Sequence, residues 1–154
     1  MRVYCAGPVA GMTVEQVKTR HALIGRWLSG SGHTVIFPVN QAEMDTACAD
    51  GVISGDGDPH VPAVTDKALF ERDKWWVQGC DILYADLSHP VDHASIGSMF
   101  EIAWADILGK HVVICKPKDD GDDRSVYHHP FVYSAGHVIF SDPEKALAYI
   151  AGLK

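Results

Sequence analysis

The sequence predicts a single α/β domain, residues 1–154, in which a parallel β-sheet is covered by helices on both faces. Short apolar segments alternate with segments of helical periodicity along the chain, and this alternation is typical of parallel sheets. The chain has 154 residues, which is enough for one domain with one core. With 47% hydrophobic and 21% charged residues, its composition is that of a globular protein.

Five apolar segments are predicted to be strands because each is short, rich in Val, Ile or aromatic residues, and bounded by Gly, Pro or polar residues. The strands are predicted at 2–6, 33–37, 80–85, 111–115 and near 138–140. Pro38 ends the second strand because proline cannot donate a backbone hydrogen bond.

Four helices are predicted between and after these strands. Thr13 and Gln16 form a capping-box pattern ahead of an apolar stripe. That stripe is made of Val17, His21, Ile24 and Leu28. The other helices are predicted from Thr65 or Asp66 to about Gly79, from near Ser98 to Gly109, and from about Pro143.

Two long segments are predicted to be loops, residues 38–64 and residues 116 to about 133. A loop as long as 38–64 is unusual inside a compact domain and usually has a function or is mobile. In sheets of this class ligands bind outside the carboxyl ends of the strands. A ligand site is therefore expected around residues 7–11, residues 86–98 and the loop after Cys115.

Charge and motifs exclude several classes of function. The net charge is −7, with 20 acidic and 13 basic residues, so a nucleic-acid polymer is not the expected partner. No segment is predicted to span a membrane or to act as a signal peptide. Neither the four cysteines nor the nine histidines show metal-ligand spacing, and no Gly-x-Ser-x-Gly motif is present. A reducing cytoplasm and a site without metal are expected.

Asp73 is the first candidate for chemistry, because it shares helical stripes with Leu69, Phe70, Trp76 and Val77. An unpaired carboxylate on an apolar face is costly, and perturbed carboxyl groups are common in active sites. Alternatively, Asp73 pairs with a basic side chain from another part of the chain, or the helix is rotated so that Asp73 is exposed.

Glu101 is the second candidate, in the first turn of the helix predicted from Ser98. Ser98-x-x-Glu101 is a capping-box pattern, and by itself it favours a plain helix cap. The functional alternative is a carboxylate that the helix dipole keeps ionised and that projects into the crevice at the strand ends, as a nucleophile should.

Gly7-Pro8-Val9-Ala10-Gly11 follows the first strand and could present backbone N–H groups to a ligand. Turns of this kind are common, so the motif alone is a weak signal. Because the loop contains no Lys, Arg or Ser, any binding of a phosphate there is expected to depend on backbone donors.

Together, several segments resemble the nucleoside 2-deoxyribosyltransferase superfamily, which includes the 2′-deoxynucleoside 5′-monophosphate N-glycosidases. The resemblance covers nearly the whole chain in order, except the 38–64 loop, and Ser-x-Gly-x-x-x-Glu is its most specific part. Its segments are Val3-Tyr-Cys-Ala-Gly-Pro8, Asp73, Cys80-Asp-Ile-Leu-Tyr-Ala-Asp-Leu-Ser88, Ser95-Ile-Gly-Ser-Met-Phe-Glu-Ile-Ala-Trp-Ala105, Gly109-Lys-His-Val-Val113 and His128-His-Pro-Phe-Val132.

The resemblance implies a flavodoxin-like three-layer sandwich with a five-stranded parallel sheet. It also implies three catalytic roles. Glu101 is the nucleophile that attacks C1′ and forms a glycosyl ester, Tyr4 orients that carboxylate, and Asp73 supplies a proton to the departing base. The environments of the two carboxyl groups are expected to separate their pKa values, with Glu101 ionised.

The resemblance further implies a substrate-binding set and an oligomer. Ser95, Ser98 and the 7–11 backbone are expected to surround the 5′ end of the sugar, and His129 to reach that end in a neighbouring subunit's site. The implied substrate-binding residues are Gly7, Pro8, Gly11, Asp86, Ser95, Gly97, Ser98 and His129. A homodimer or higher oligomer with shared sites is therefore expected, with no cofactor.

The leading functional expectation is transfer of deoxyribose from a deoxynucleoside to a free nucleobase. The alternative is hydrolysis of a deoxynucleoside 5′-monophosphate. Ser95 resembles the monophosphate hydrolases, since many nucleoside-specific transferases have Asp there. Pro8 and Ala10 stand where those hydrolases have a serine and a basic residue. A non-catalytic nucleotide-sensing module is the third alternative.

Overall fold

The computed structural model describes residues 1–40, 43–44, 48–49, 51–54, 57–58, 60–89, 93–118 and 127–154. The strands are β1 (Arg2–Ala6), β2 (Thr34–Ile36), β3 (Cys48–Ala49), β4 (Val52–Ile53), β5 (Ile82–Asp86), β6 (His111–Cys115) and β7 (Val138–Phe140). The helices are α1 (Val14–Leu28), α2 (Asp66–Gly79), α3 (Ile96–Ile107), α4 (Pro130–Ala135) and α5 (Pro143–Ala151), with short 3₁₀ turns at Ser29–Ser31 and Pro62–Val64.

The main sheet has five parallel strands in the order β2-β1-β5-β6-β7. Leaving out the short strands β3 and β4, this is the flavodoxin-like order 2-1-3-4-5, whose direction reverses between the first and third strands. The predicted five-stranded parallel sheet is confirmed. The point of reversal lies between β1 and β5, where ligands bind in sheets of this class.

Apolar clusters on the two faces of the sheet produce the three layers. Side chains alternate along a strand, so Tyr4 and Ala6 of β1 face one cluster and Val3 and Cys5 face the other. The Tyr4 cluster includes buried residues of α2, α3 and α4, whereas the Val3 cluster includes those of α1 and α5. The predicted helices on both faces are confirmed, and Tyr4 belongs to the face that carries α3.

Part of the predicted 38–64 loop is a small antiparallel hairpin of β3 and β4. Gly51, with φ 81°, lies between these strands, in a conformation that glycine adopts easily. Ile53 of β4 packs with Met12, Val17 and Met44 in a third apolar cluster. Sequence periodicity could not reveal this hairpin, because strands of two residues are too short to show alternation.

Helix boundaries differ from prediction at α3 and α4. Helix α3 begins at Ile96, with Ser95 rather than Ser98 as its N-cap. Helix α4 occupies residues that were predicted to belong mainly to the loop ending near Tyr133. Because the polar Ser95 and Ser98 are both good caps, sequence alone did not select between them.

Helix α1 has the predicted capping box of Thr13 and Gln16. Its buried stripe, however, contains Arg20 where His21 was expected. The His21 ring is half-buried and stacks on Phe37, with ring centroids 3.9 Å apart. The Arg20 cation is therefore buried between α1 and the rest of the protein. A buried charge is costly unless nearby polar or charged groups stabilise it.

Cys5, Cys80 and Cys115 are buried free thiols, which pack here as small apolar side chains. Within the described residues, no helix has the length and apolar character needed to cross a membrane.

Candidate active site

The candidate site lies where β1 and β5 end side by side. Gly7 follows β1, and Asp86 is the last residue of β5. A Cβ atom on Gly7 would lie 2.7 Å from the Asp86 carbonyl oxygen and 3.1 Å from Arg20 Nη1. Only glycine therefore fits between these two groups without displacing the backbone.

Tyr4 and Glu101 meet across the sheet–helix interface although 97 residues separate them in sequence. The Tyr4 hydroxyl donates a hydrogen bond of 2.5 Å to Glu101 Oε1, and both side chains are buried. Since α3 begins at Ile96, Glu101 lies in its second turn rather than in the predicted first turn. The Ser98–Glu101 capping box is therefore not formed, and the effect of the dipole is weaker at this distance from the helix end.

Burial dominates the ionisation of Glu101. Burial raises the pKa of this carboxyl group, the Tyr4 hydrogen bond lowers it, the Asp73 charge raises it and the Arg20 charge lowers it, and the resulting pKa is about 7. The expectation that the helix dipole keeps Glu101 ionised is wrong, because desolvation favours the neutral acid. Burial also raises the pKa of Tyr4, with additional contributions from Glu101 and Asp73, so Tyr4 remains the proton donor in this pair.

Asp73 lies on α2 and is partly buried, with 20% of its side chain exposed. Burial raises the pKa of Asp73 to about 6, against the lowering effect of Arg72. Arg72 Nε donates to Asp73 Oδ1 at 3.1 Å. The carboxyl group thus has a basic partner, and this partner is its neighbour in sequence. Burial raises the pKa values of both carboxyl groups, whereas the expectation was that Glu101 would be the ionised member of the pair.

Asp86 is buried at the end of β5. Its Oδ1 accepts hydrogen bonds from the Ser88 amide at 3.1 Å and from the Ser88 hydroxyl at 2.5 Å. These bonds fix the carboxylate at the mouth of the β1–β5 junction.

Ser95 and Ser98 meet at the start of α3. Ser95 Oγ accepts hydrogen bonds from the Ser98 amide at 3.4 Å and from Ser98 Oγ at 3.0 Å. The Ser95 amide donates to the Tyr127 hydroxyl at 3.3 Å. Gly97 is exposed in the same turn, and a Cβ atom there would contact nothing within 4 Å.

Two backbone groups of the 7–11 turn are hydrogen-bonded to other parts of the chain. The Pro8 carbonyl accepts a hydrogen bond of 2.7 Å from Arg20 Nη1. The Gly11 amide donates to the Ile53 carbonyl at 2.9 Å. A ligand could use the Gly11 amide only if this link to the hairpin opened.

His129 is exposed and caps α4, with its Nδ1 accepting from the Phe131 amide at 3.3 Å. Phe131 beside it is 79% exposed. His129 is therefore on the surface of the protein, in contrast to the buried Tyr4 and Glu101.

Arg20 is the main site residue that the sequence analysis missed. It is only 5% exposed, and its charge acts on Asp86, Cys5, Tyr84 and Glu101. The sequence contains one signal that could have identified it. Arg20 lies on the same apolar helical stripe as Val17, Ile24 and Leu28. A charged residue on an apolar stripe is also the signal that identified Asp73.

A separate cavity of about 380 Å³ lies beside α1 and the segment after β2. It is lined by Lys18, His21, Phe37, Val39, Asn40 and Met44. None of Tyr4, Asp73 or Glu101 lines it, so the chemistry of the carboxyl pair is not located there. Among the described side chains, no group of three or more His, Cys, Asp or Glu residues is placed to bind a metal ion.

No protein-family model matches the chain, and no curated protein matches it either. Solved structures share its fold, including the following three. A 2-deoxyribosyltransferase from the psychrotolerant bacterium Bacillus psychrosaccharolyticus has a TM-score of 0.62 and 19% identity, over 100% of this chain and 93% of that one. The CMP N-glycosidase BcmB from Clostridium botulinum has a TM-score of 0.57 and 19% identity, over 97% of each chain.

The third structure is a conserved protein from Enterococcus faecalis V583, with a TM-score of 0.64 and 18% identity, over 97% of this chain and 96% of that one. At 18–19% identity these structures show a shared fold, and the predicted flavodoxin-like fold is confirmed.

Proposed function

We propose that this protein cleaves the N-glycosidic bond of 2′-deoxynucleosides through a covalent deoxyribosyl–Glu101 intermediate and transfers the sugar to another nucleobase. The observation that carries the proposal is the buried Glu101 carboxyl group, held at 2.5 Å by the Tyr4 hydroxyl and close enough to Asp73 for their charges to interact. A fold shared with a 2-deoxyribosyltransferase and a CMP N-glycosidase supports it.

In the first step, a Glu101 carboxylate oxygen forms a bond to C1′ of the sugar. The bond between C1′ and the base nitrogen breaks, and its electron pair remains on the base. Asp73 gives its proton to the departing base, which leaves neutral. Tyr4 keeps the Glu101 carboxylate aimed at C1′, because its hydrogen bond fixes one of the two oxygens.

In the second step, a nitrogen of an incoming base attacks C1′ and displaces Glu101 as a carboxylate. The proton lost by that nitrogen returns to Asp73, so that the protein regains its initial state. Two successive displacements at C1′ retain the configuration of the sugar. Water in place of the incoming base would give free deoxyribose and hydrolysis.

The reaction requires Glu101 ionised and Asp73 protonated. Because burial raises the pKa of Glu101 to about 7 and that of Asp73 to about 6, this combination is a minority form of the substrate-free protein. Positive charge that develops on the sugar ring favours the ionised form of Glu101, since opposite charges stabilise each other in a desolvated site. The ionised form of Glu101 is therefore stabilised most as the glycosidic bond breaks.

Hydrolysis of a deoxynucleoside 5′-monophosphate is the second candidate function, favoured by Arg20. Its buried guanidinium supports the Pro8 carbonyl of the turn expected to surround the 5′ end. A cation there would attract a 5′-phosphate, although the turn itself contains no basic residue. The shared fold with a CMP N-glycosidase is compatible with this alternative.

One assay separates these functions. Deoxynucleosides and their 5′-monophosphates are incubated with and without a second base, and free base and new nucleoside are followed by chromatography. New nucleoside that forms only with an acceptor base supports transfer. Base release confined to monophosphates supports hydrolysis, and binding without any turnover supports the nucleotide-sensing alternative.

Replacement of the nucleophile tests the mechanism itself. Glu101→Ala should abolish turnover while circular dichroism remains that of the parent protein. Glu15→Ala, which removes an exposed carboxylate from α1, is the control and should retain full activity. Full activity in Glu101→Ala is incompatible with the proposed intermediate.

We also propose that the active form is an oligomer in which His129 completes a neighbouring subunit's site. The exposure of His129 and of Phe131 beside it supports this role. Mixing Glu101→Ala with His129→Ala subunits should then restore part of the activity, because some mixed sites contain both side chains. No recovery in an oligomer shown to exchange subunits contradicts the sharing.

A further inference from the structure

Arg72, next to Asp73 on α2, contacts two residues of the segment that follows β2. Its guanidinium forms an ion pair with Glu43 and donates a hydrogen bond to the Pro38 carbonyl. Its Nε donates to Asp73 Oδ1 at 3.1 Å. The guanidinium also lies over the Trp76 ring, 4.6 Å from its centroid, so that its position is fixed from several directions.

The segment on the far side of Arg72, here called the Glu43 segment, consists of described residues 38–40 and 43–44. Two reciprocal hydrogen bonds of 3.0 Å hold it in shape, one from the Asn40 amide to Glu43 Oε2 and one from the Glu43 amide to Asn40 Oδ1. Met44 is buried in the apolar cluster beneath the β3–β4 hairpin. Arg72 thus joins Asp73 to a segment that is packed against the hairpin.

One cation is therefore shared between two carboxylates. The side chains of Arg72 and Glu43 are only 20% and 13% exposed, so solvent screens their interaction less than at an open surface. Each contact that Arg72 makes with Glu43 limits how strongly it stabilises the ionised form of Asp73. Conversely, loss of the Glu43 contact leaves the guanidinium free to pair fully with Asp73.

We propose that Arg72 is a positioning residue whose guanidinium, shared between Glu43 and Asp73, sets how tightly Asp73 holds its proton. The role rests on the proposed function, in which Asp73 donates a proton to the departing base. While Arg72 is shared with Glu43, Asp73 holds its proton more tightly than it would beside a guanidinium that paired with Asp73 alone.

The charges around Asp73 agree with this arrangement. The charge and the hydrogen bond of Arg72 both lower the pKa of Asp73, and the Glu43 charge raises it. Glu101 and Tyr4 also interact with Asp73. Because Glu101 titrates in the same pH range, it would couple to Asp73, and a test must remove it.

The test is a titration of Asp73 in a Glu101→Gln background, followed by the ¹³C shift of labelled aspartate carboxyl groups and assigned with Asp73→Asn. Adding Arg72→Gln should raise the pKa of Asp73 by about 1, because an opposite charge and a donor are lost. Adding Glu43→Gln should lower the pKa of Asp73, because a like charge is lost and Arg72 is released. Arg72→Lys should return the pKa toward that of the background protein.

Lys67 and Glu71 provide matched controls, since they form an exposed ion pair on the same helix. Lys67→Gln and Glu71→Gln should leave the pKa of Asp73 unchanged. Opposite shifts for Arg72→Gln and Glu43→Gln support the inference, and any other pattern among folded variants overturns it. If Arg72→Gln does not fold, the Glu43→Gln variant provides the test. A lower pKa of Asp73 in that variant supports the inference, and an unchanged or higher pKa overturns it.

The titration requires no turnover, so its outcome is independent of the proposed reaction. If the parent protein cleaves no glycosidic bond, the proposed function is contradicted. Opposite shifts in the pKa of Asp73 would still support the role of Arg72. If the parent protein is active but Arg72→Gln and Glu43→Gln leave the pKa of Asp73 equal to that of the background protein, the role of Arg72 is contradicted and the proposed function is not.

Discussion

At Glu101, burial and hydrogen bonding act on the same carboxyl group in opposite directions. Burial raises its pKa and the Tyr4 hydroxyl lowers it by stabilising the carboxylate, and burial has the larger effect, so the pKa is about 7. A nucleophile with a pKa near neutrality is ionised in part and keeps more basicity than a fully stabilised carboxylate. Tyr4 therefore controls the reactive fraction of Glu101 as well as its orientation.

The change Tyr4→Phe tests this balance. Loss of the donor should raise the pKa of Glu101 above that of the parent protein, and turnover near pH 6.5 should fall about tenfold or more, since hydrogen bonds to charged groups contribute roughly 1.5–3 kcal/mol. The ¹³C titration of labelled glutamate carboxyl groups and the pH dependence of kcat measure both effects. An unchanged Glu101 pKa would show that the 2.5 Å contact has no electrostatic role.

At the scale of the elements, the turn after β1 is the most constrained part of the site. Gly7 lies against the Asp86 carbonyl and the Arg20 guanidinium, with no room for a Cβ atom on that side. The same turn reaches the hairpin through the hydrogen bond between Gly11 and Ile53. A change at Gly7 should therefore affect the β1–β5 junction and the side chains around it.

Gly7→Ala should reduce stability by roughly 1–3 kcal/mol, as overpacking against backbone does, and should reduce turnover. Gly25→Ala is the matched control, because Gly25 lies within α1 and its added Cβ would contact nothing within 4 Å. Removing a mid-helix glycine should raise stability by about 0.5–1 kcal/mol. Urea denaturation measures both changes, and equal effects at the two positions would contradict the close approach at Gly7.

The local sequence predicts helix α3 but not the residue at which the helix begins. Its existence and apolar face were predictable from periodicity, but the choice between Ser95 and Ser98 as its cap was not. The choice matters because it places Glu101 in the second turn and so removes most of the dipole effect that was expected there. The link between the Ser95 amide and Tyr127 joins this helix start to a distant part of the chain.

At the scale of the whole molecule, the buried carboxyl pair should oppose folding as pH rises. The folded-state pKa of Glu101 is raised to about 7 from an ordinary value of 4.5. Because the folded protein then binds the proton more tightly than the unfolded chain, the stabilising effect is complete below about pH 4.5 and is lost as pH rises to about 7. Asp73 acts in the same direction between 3.8 and about 6.

Glu101→Gln removes this titration and should change the pH dependence of stability. Relative to the parent protein, its free energy of unfolding should rise by on the order of 3 kcal/mol between pH 4.5 and pH 8. Urea denaturation at several pH values measures the difference, with Glu15→Gln as the control for the loss of one carboxylate. A constant difference across this range would mean that Glu101 titrates alike in both states.

The sequence by itself determined the layered α/β architecture, because alternating apolar segments and helical stripes specify which faces must be buried. It also identified Asp73, since a carboxylate on an apolar stripe is visible without coordinates. The resemblance added the five-stranded topology and the expectation that Tyr4 contacts Glu101.

Only the tertiary structure decided the ionisation of these groups and the partners that control it. Burial and charge at Glu101 depend on β1, α1, α2 and α3 together, and no local pattern contains that information. Arg20 beneath the turn and Arg72 between Asp73 and Glu43 are likewise products of long-range packing. Desolvation and Coulomb energies depend on distances in space, and those distances exist only once the layers have assembled.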